Sequence, residues 1–290
     1  MKIAVASGKG GTGKTFFATN FYKVLADRGE SVTLTDCDAE APNNLLFFNP
    51  VIKYSREISL KVPVINKEAC IFCGRCSEWC HYNSIFYVPS AGIIEVIENL
   101  CHGCGACLVA CEAGAITEKD VRLGTVTGCD HSQHCSIIEA RMEVNEMSPV
   151  KVIKAAINDA GEDAIVILDS PPGTSCPFVQ TVDTADYVIL VTEPTPFGLS
   201  DLKQSVETLR LMGKTMGVII NRSDVGNNDV KRYLNDESIT LLLELPYDAG
   251  IAHLYSEGRL AVDHKKELNE MLTTVIDKLI MEHGTGCNKR

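Results

Sequence analysis

The side chains with the most distinctive chemistry are eight cysteines that show one spacing twice. The first run reads Cys-x2-Cys-x2-Cys-x3-Cys, and adding 31 to each position gives the second run. The members are Cys70, Cys73, Cys76 and Cys80, followed by Cys101, Cys104, Cys107 and Cys111. Eight thiolates in this rhythm are what two iron–sulfur cubanes require. Zinc usually takes Cys-x2-4-Cys pairs separated by a longer loop, so zinc ribbons are the less favoured alternative.

The segment 67–118 resembles a bacterial ferredoxin domain with two [4Fe-4S] clusters. In that run the fourth cysteine ligates the other cluster, so the resemblance implies crossed ligation. Cluster I would use Cys70, Cys73, Cys76 and Cys111, and cluster II would use Cys101, Cys104, Cys107 and Cys80. Ferredoxin runs usually end in Cys-Pro, whereas Cys80 is followed by His81 and Cys111 by Glu112. We expect this departure to affect hydrogen bonding to the cluster sulfurs rather than ligation.

A glycine-rich loop follows an apolar, strand-like run at 2–7 and precedes a helical stretch that extends to about residue 28. The loop reads Gly8, Lys9, Gly10, Gly11, Thr12, Gly13, Lys14 and Thr15. Glycines let the backbone turn tightly so that its N–H groups point at phosphate oxygens, and the helix N-terminus adds positive potential. Lys14 is expected to reach the β- and γ-phosphates, and the Thr15 hydroxyl to bind Mg²⁺.

The run Lys-Gly-Gly-Thr-Gly-Lys-Thr at 9–15 resembles the deviant Walker A motif of the MinD/ParA/nitrogenase-iron-protein (SIMIBI) superfamily of P-loop ATPases. In that family the first lysine crosses a dimer interface to the partner's nucleotide. The resemblance therefore implies that the chain binds ATP or ADP with Mg²⁺, and that Lys9 acts in an ATP-dependent dimer. The dimer would be a homodimer or a heterodimer with a similar ATPase. A solvated surface lysine is the alternative for Lys9.

Polar residues at the ends of further strand-like runs extend this resemblance over about 1–50 and 150–285. Such strand ends are where open α/β sheets bind ligands. The resemblance implies that Asp38 orients the attacking water, that Asp36 supports Mg²⁺ or its own loop, and that Asp169 holds Mg²⁺ through water. It also implies a γ-phosphate sensor in the backbone N–H of Gly173. The base would be recognised by Asn221, beside Pro246 and Tyr247.

Five cysteines lie outside the two runs. Cys176 falls seven residues after Asp169, the offset at which the nitrogenase iron protein carries a bridging-cluster cysteine. This spacing motivates the hypothesis that Cys176 binds a shared cluster or metal at a dimer axis, with Cys129 or Cys135 as a second such cysteine. A structural cysteine is the favoured alternative for Cys176. The stretch 129–135 contains zinc-capable residues, but a solvent-exposed loop is the default expectation there.

Bulk properties exclude some function classes. The net charge of −11 argues against general nucleic-acid binding. The sequence contains no run of 18 apolar residues, so we expect no membrane span. Thirteen cysteines without a secretion signal indicate metal ligation in a reducing, cytoplasmic compartment rather than disulfides. The segment 263–283 has helix-face apolar spacing but many acidic residues, so we expect it to pack on the sheet rather than on lipid.

These patterns predict an α/β P-loop NTPase with a mostly parallel sheet flanked by helices, plus a small inserted ferredoxin-like α+β domain. The ATPase domain would comprise 1–62 and 121–290, and the insert 63–120. The predicted function is Mg²⁺-dependent ATP hydrolysis coupled to electron transfer to a redox partner protein. A scaffold or carrier in iron–sulfur or mixed-metal cluster assembly, with a metal-cluster partner, is the alternative. A positioning or partition ATPase, or an amidoligase, is less favoured.

Overall fold

The computed structural model describes residues 1–144, 146, 148–162 and 165–283. The strands are β1 Lys2–Ala6, β2 Val32–Asp36, β3 Val51–Ile65, β4 Ile85–Val88, β5 Ile93–Val96, β6 Ile116–Ser132, β7 Cys135–Met142, β8 Ile165–Asp169, β9 Tyr187–Thr192, β10 Met216–Asn221 and β11 Thr240–Leu245. The α-helices are α1 Lys14–Asp27, α2 Arg75–Glu78, α3 Ala106–Ala110, α4 Val150–Asp159, α5 Cys176–Asp183, α6 Pro196–Leu211, α7 Asp229–Asp236, α8 Ala249–Ser256 and α9 Lys266–His283.

One large sheet has the strand order β11-β10-β9-β1-β8-β2-β7-β6-β3, and β4 pairs antiparallel with β5 in a separate sheet. The pairs from β11 through β7 are parallel. Parallel neighbours need helical crossovers, and these place the carboxyl ends of the strands at one edge. The predicted α/β fold with a mostly parallel sheet flanked by helices is confirmed.

Helices cover both faces of this sheet, which explains why its central strands are buried throughout. Alternate residues of β1, Ile3 and Val5, share one core with α1 and α9. Successive strand residues point to opposite faces, and α4, α5 and α6 contact β2, β1 and β9 respectively. The apolar stripe of α9, including Leu272 and Ile276, lies in the first core. The expectation that this segment packs on the sheet is therefore confirmed.

The expectation of a solvent-exposed loop at 129–135 is wrong. β6 continues to Ser132, and β7 begins at Cys135 after a two-residue connection typical of a hairpin. Cys129 and Cys135 are both buried in these strands. Strand β7 lies inside the sheet, between β2 and β6. Because β7 lacks the alternation of polar and apolar residues that marks a half-exposed strand, the sequence pattern did not reveal it.

The chain divides into two compact units. The larger unit contains the described residues of Met1–Arg56, Thr125–Arg141 and Ser148–Arg290, and the cysteine unit contains those of Glu57–Gly124 and Met142–Met147. The chain passes from one to the other within β3 and again within β6. The cysteines of the described residues are free thiols, and Cys287 lies outside those residues. Among the described helices, none has the length and apolar character needed to cross a bilayer.

Candidate functional site

A cavity of about 400 Å³ lies where the glycine-rich loop joins β1 to α1 in the larger unit. This volume is typical of small-molecule sites. Its lining includes many of the residues predicted to bind nucleotide, namely Gly10, Gly11, Gly13, Lys14, Thr15, Asp38, Asn221, Pro246 and Tyr247. Gly8, Lys9 and Thr12 instead line a smaller neighbouring cavity beside α6. The structure therefore gathers at one cavity predicted residues that lie up to 237 positions apart in the sequence, from Gly10 to Tyr247.

At two positions of the loop, Gly8 and Gly13, the surrounding atoms leave no room for a side chain. A Cβ on Gly8 would lie 2.5 Å from the carbonyl oxygen of Asp201. A Cβ on Gly13 would lie 2.6 Å from Nδ2 of Asn221, and Gly13 has a φ of +102°, which side chains rarely adopt. These contacts let the loop approach α6 and the end of β10 closely, so both positions require glycine.

Lys14 and Asp38 line this cavity, and the buried carboxylates of Asp36 and Asp169 lie nearby at the ends of β2 and β8. Lys14 is 7% exposed, and burial lowers the pKa of its ammonium although nearby Asp169 and Asp38 oppose that shift. Asp36 and Asp169 occupy paired positions on the neighbouring parallel strands β2 and β8. Burial raises the pKa of Asp169 to about 7. Burial also raises the pKa of Asp38, partly offset by Lys14.

The carboxylate of Asp169 has the character of a cation ligand. Both of its oxygens are buried without a hydrogen-bond partner among the described residues. Such an orphaned carboxylate is costly unless a cation compensates it. The Thr15 hydroxyl is close enough to lower the pKa of Asp169 in opposition to the burial effect. Hydroxyl and carboxylate oxygens are hard ligands of the kind that Mg²⁺ prefers, so these residues fit a magnesium ion.

Asp36 is committed to its own loop. Its Oδ1 accepts from the backbone N–H of Asp38 at 3.1 Å, and its Oδ2 accepts from those of Asn43 and Asn44, each at 2.9 Å. These bonds fold the segment after β2 and hold Asp38 at the cavity. Of the two roles considered for Asp36, this geometry favours support of the loop over ligation of Mg²⁺.

The predicted sensor and base-recognition residues already hold protein partners. The N–H of Gly173 donates to the carbonyl of Ser7 at 3.1 Å, so it would have to leave Ser7 to meet a phosphate. Asn221 donates from Nδ2 to the carbonyl of Thr12 at 2.8 Å. Asn221 therefore ties the end of β10 to the glycine-rich loop as well as lining the cavity.

Lys9 is paired within its own chain. Its ammonium lies 3.3 Å from Oε2 of Glu193, whose Oε1 is 2.7 Å from Arg222. Glu193 is largely buried, with 12% of its side chain exposed, whereas Lys9 is 32% exposed. In the single chain, Lys9 is therefore not a freely solvated lysine but is held in an ion pair with Glu193.

The sequence pattern missed one wall of this cavity. Helix α8 contributes Ile251, Ala252 and Tyr255, and the ring of Tyr255 packs against Phe16 and Phe47. Asp248 begins the helix by accepting the N–H groups of Gly250 and Ile251. A helix-capping aspartate followed by apolar residues at i and i+4 spacing was the available signal.

The two cysteine runs form two small cavities in the cysteine unit. Cysteine cavity I is lined by Cys70, Cys73, Cys76 and Cys111. Cysteine cavity II is lined by Cys80, Cys101, Cys104 and Cys107. Each cavity thus takes three thiols from one run and the fourth from the other. This is the grouping that the crossed arrangement requires, and four thiols around one cavity fit a [4Fe-4S] cluster.

Hydrogen bonds to the thiols also suit metal ligation. The N–H groups of Phe72 and Gly103 each lie 3.4 Å from a cysteine sulfur, Cys70 and Cys101 respectively. Burial alone would raise the pKa of the Cys80 thiol, but hydrogen bonds from Ser84 lower it below its ordinary value. Burial raises the pKa of Cys107 to about 11. A bound cation would have to overcome that cost for Cys107.

Within the described ranges, no three His, Cys, Asp or Glu side chains lie close enough to share one metal ion. Zinc requires such closeness, whereas each thiolate of a [4Fe-4S] cluster binds a different iron. Cys176 is exposed at the first position of α5, and it takes no part in core packing.

Comparisons with known proteins agree with the fold. An uncharacterised protein of Methanocaldococcus jannaschii is 28% identical, with 96% of each chain covered. The septum site-determining protein MinD of Pyrococcus horikoshii, solved with Mg-ADP, superposes with a TM-score of 0.58 at 18% identity over 96% of both chains. The ferredoxin-type protein NapF of Haemophilus influenzae is 28% identical over 105 residues, which are 35% of this chain and 59% of NapF.

A family model also matches most of the chain. The model of the CobQ/CobB/MinD/ParA nucleotide-binding domain matches residues 3–262, which include the glycine-rich loop and every wall of the nucleotide cavity. The chain therefore belongs to the CobQ/CobB/MinD/ParA nucleotide-binding domain family.

Proposed function

We propose that this protein is an ATPase whose nucleotide cycle controls electron transfer through two [4Fe-4S] clusters to a partner protein. The observation that carries the proposal is the crossing of the two cysteine runs, which gives four thiols to each cysteine cavity. That grouping occurs in a chain of a nucleotide-binding family. The partial similarity to a ferredoxin-type protein supports the same reading.

The nucleotide site would work through residues that already converge on one cavity. Lys14 and the N–H groups of the glycine-rich loop would hold the phosphates of ATP. Thr15 and Asp169 would hold Mg²⁺, because the orphaned carboxylate of Asp169 gains a cation there. Asp38 would orient the attacking water from the loop that Asp36 folds. MinD of Pyrococcus horikoshii, which shares the fold, was solved in complex with Mg-ADP, and this supports the assignment.

Dimer formation would depend on Lys9 exchanging one partner for another. In the single chain its ammonium pairs with Glu193. To contact a nucleotide bound by a second chain, Lys9 has to leave that carboxylate. The phosphates of ATP carry more negative charge than one carboxylate, and this difference favours the exchange when ATP is bound. Arg222 would remain to neutralise Glu193.

The eight cysteines would ligate the clusters, which supply one-electron redox chemistry when bound. Cys70, Cys73, Cys76 and Cys111 would hold one cluster, and Cys80, Cys101, Cys104 and Cys107 the other. The N–H donors of Phe72 and Gly103 would orient the thiolates and lower the cost of their charge.

A reoxidation experiment tests the proposal. The protein would be purified without oxygen, reduced, and mixed with oxidised methyl viologen as the one-electron acceptor while cluster absorbance is followed. We expect the rate of reoxidation to differ between ATP and ADP in the wild type and to be the same with both in Lys14→Ala. Equal rates in the wild type would contradict coupling.

Two further readouts distinguish other functions in the same preparation. Transfer of iron and sulfide to an apo-ferredoxin, without a nucleotide effect on reoxidation, would indicate a cluster carrier instead. ATP-dependent binding to DNA or to anionic vesicles, with no effect on the clusters, would indicate a positioning or partition ATPase.

A further inference from the structure

Cysteine cavities I and II are related by the 31-residue repeat but have walls of opposite character. Apart from its thiols, cavity I is lined by apolar residues and glycine, among them Ile65, Ile71, Ile94 and Ile116. Cavity II is lined by several polar side chains, among them Lys61, Tyr82, Ser84, His102 and Glu118. The thiols match between the two cavities, so the difference lies in what surrounds them.

The repeat aligns the two walls residue by residue. His102 corresponds to Ile71, and both line their own cavity. Tyr82 corresponds in the same way to Ala113. The rings of Tyr82 and His102 stack with centroids 3.7 Å apart and an interplanar angle of 14°. They form one polar wall at cavity II, where cavity I has two apolar side chains.

The difference extends to the hydrogen bonds that the thiols accept. The N–H groups of Ser84 and Ala115, which the repeat aligns, each lie 3.3 Å from a cysteine sulfur, Cys80 and Cys111 respectively. The Ser84 hydroxyl adds a second contact, 3.0 Å from the sulfur of Cys80. A thiolate has no proton to give, so the hydroxyl is the donor once Cys80 is ionised. Ala115 has no hydroxyl to offer Cys111.

We propose that cavity II holds its cluster at a more positive reduction potential than cavity I, and that Ser84 is a main determinant of the difference. This inference rests on the proposed function, because it requires both clusters. Reduction adds a negative charge, which hydrogen-bond donors such as the Ser84 hydroxyl stabilise and apolar walls do not. Ser84 is a positioning residue here, since it acts on the cluster through the sulfur of Cys80.

An anaerobic potentiometric titration followed by electron paramagnetic resonance tests the inference. Iron and sulfide content is measured first, so that only fully loaded protein is compared. We expect two resolved midpoints in the wild type. Ser84→Ala should change the equilibrium constant for reduction of the cluster in cavity II roughly tenfold. The more positive midpoint potential should therefore fall by about 59 mV, the value for one electron. The reciprocal variant Ala115→Ser should raise the more negative midpoint in the same way.

The outcomes separate this inference from the function on which it rests. A wild-type protein that binds no iron would overturn both. A fully loaded wild type with one midpoint for both clusters would overturn the inference alone. So would fully loaded Ser84→Ala and Ala115→Ser proteins whose midpoints match those of the wild type. If Ser84→Ala does not assemble its clusters, Ala115→Ser decides, because it adds a donor and leaves every thiol in place.

Discussion

The nucleotide cavity draws its lining from segments between Gly10 and Tyr255, whereas cysteine cavity I draws its lining from 65–116 alone. The first lies over a core that runs from Ile3 to Leu279. The second lies beside a core whose buried members are Cys76, Ile85, Ile94 and Ile116. A small apolar core contributes little stability by itself. The comparison therefore suggests that the larger unit preforms its site, while the cysteine unit depends on what it binds.

Removal of the proposed clusters should make this difference between the two units most visible. After chelation of iron, we expect the amides of β4 and β5 to lose their protection from hydrogen exchange, because their small core no longer has the bound metal to complete it. The amides of β1 and β8 should stay protected, since they lie in the large core. Exchange measured by mass spectrometry checks both. Retained protection in β4 and β5 would show that the thiol cavities are preformed.

The converse change removes nucleotide function and spares iron. Lys14→Ala should lower the rate of ATP hydrolysis roughly 100-fold or more, because it deletes the buried cation that we propose holds the phosphates. Iron content should match the wild type. Lys266→Ala is the matched control, since Lys266 is an exposed lysine on α9. Loss of iron in Lys14→Ala would mean that the two units do not assemble independently.

The raised pKa of Asp169 predicts how the stability of the nucleotide-free protein depends on pH. Burial raises the pKa of Asp169 to about 7, whereas the unfolded carboxyl titrates near about 4. The folded state binds the extra proton between these values, so the free energy of unfolding should fall as pH rises from about 4 to about 7. Urea unfolding across that range measures the slope. Asp169→Asn should flatten it without abolishing it, because burial also raises the pKa of neighbouring Asp36.

Mg²⁺-nucleotide binding should show the opposite trend, because it selects the ionised carboxylate. Below pH 7 we expect the affinity to weaken by up to roughly tenfold per pH unit, with a plateau above. Calorimetric titration of Mg-ADP at several pH values checks this. Affinity that is independent of pH between about 5.5 and 7 would contradict the assignment of Asp169 as the group that faces Mg²⁺.

The smallest expected effect concerns the ion pair of Lys9. Glu193→Gln removes the charge that holds Lys9 in its own chain. A partly exposed ion pair contributes little, so we expect dimerisation with a non-hydrolysable ATP analogue to strengthen only about two- to fivefold. Sedimentation analysis measures it. Glu237→Gln, which breaks the Arg210 pair away from the loop, is the matched control and should have no effect.

The sequence predicted some parts of both regions well, for a physical reason. Strand β1 and helix α1 lie where the apolar run at 2–7 and the helical stretch that extends to about residue 28 placed them. The glycine-rich loop follows from local residue types, and the grouping of the cysteines around two cavities is the one that the ferredoxin resemblance implies. Strand β7 and the wall formed by Tyr255 were missed, because long-range packing determines them. For Asp36 the sequence left two roles open, Mg²⁺ or its own loop, because the loop contacts depend on how the chain returns at Asn43.

The central claim is that the two cysteine runs cross, and counting iron in double variants tests it most directly. Cys70→Ala with Cys111→Ala removes two ligands of cavity I, so the protein should keep half of the wild-type iron. Cys70→Ala with Cys80→Ala removes one ligand from each cavity, so it should lose most or all of its iron. The reverse result, with half of the iron kept in the Cys70 and Cys80 variant and little in the other, would contradict crossed ligation and the account built on it.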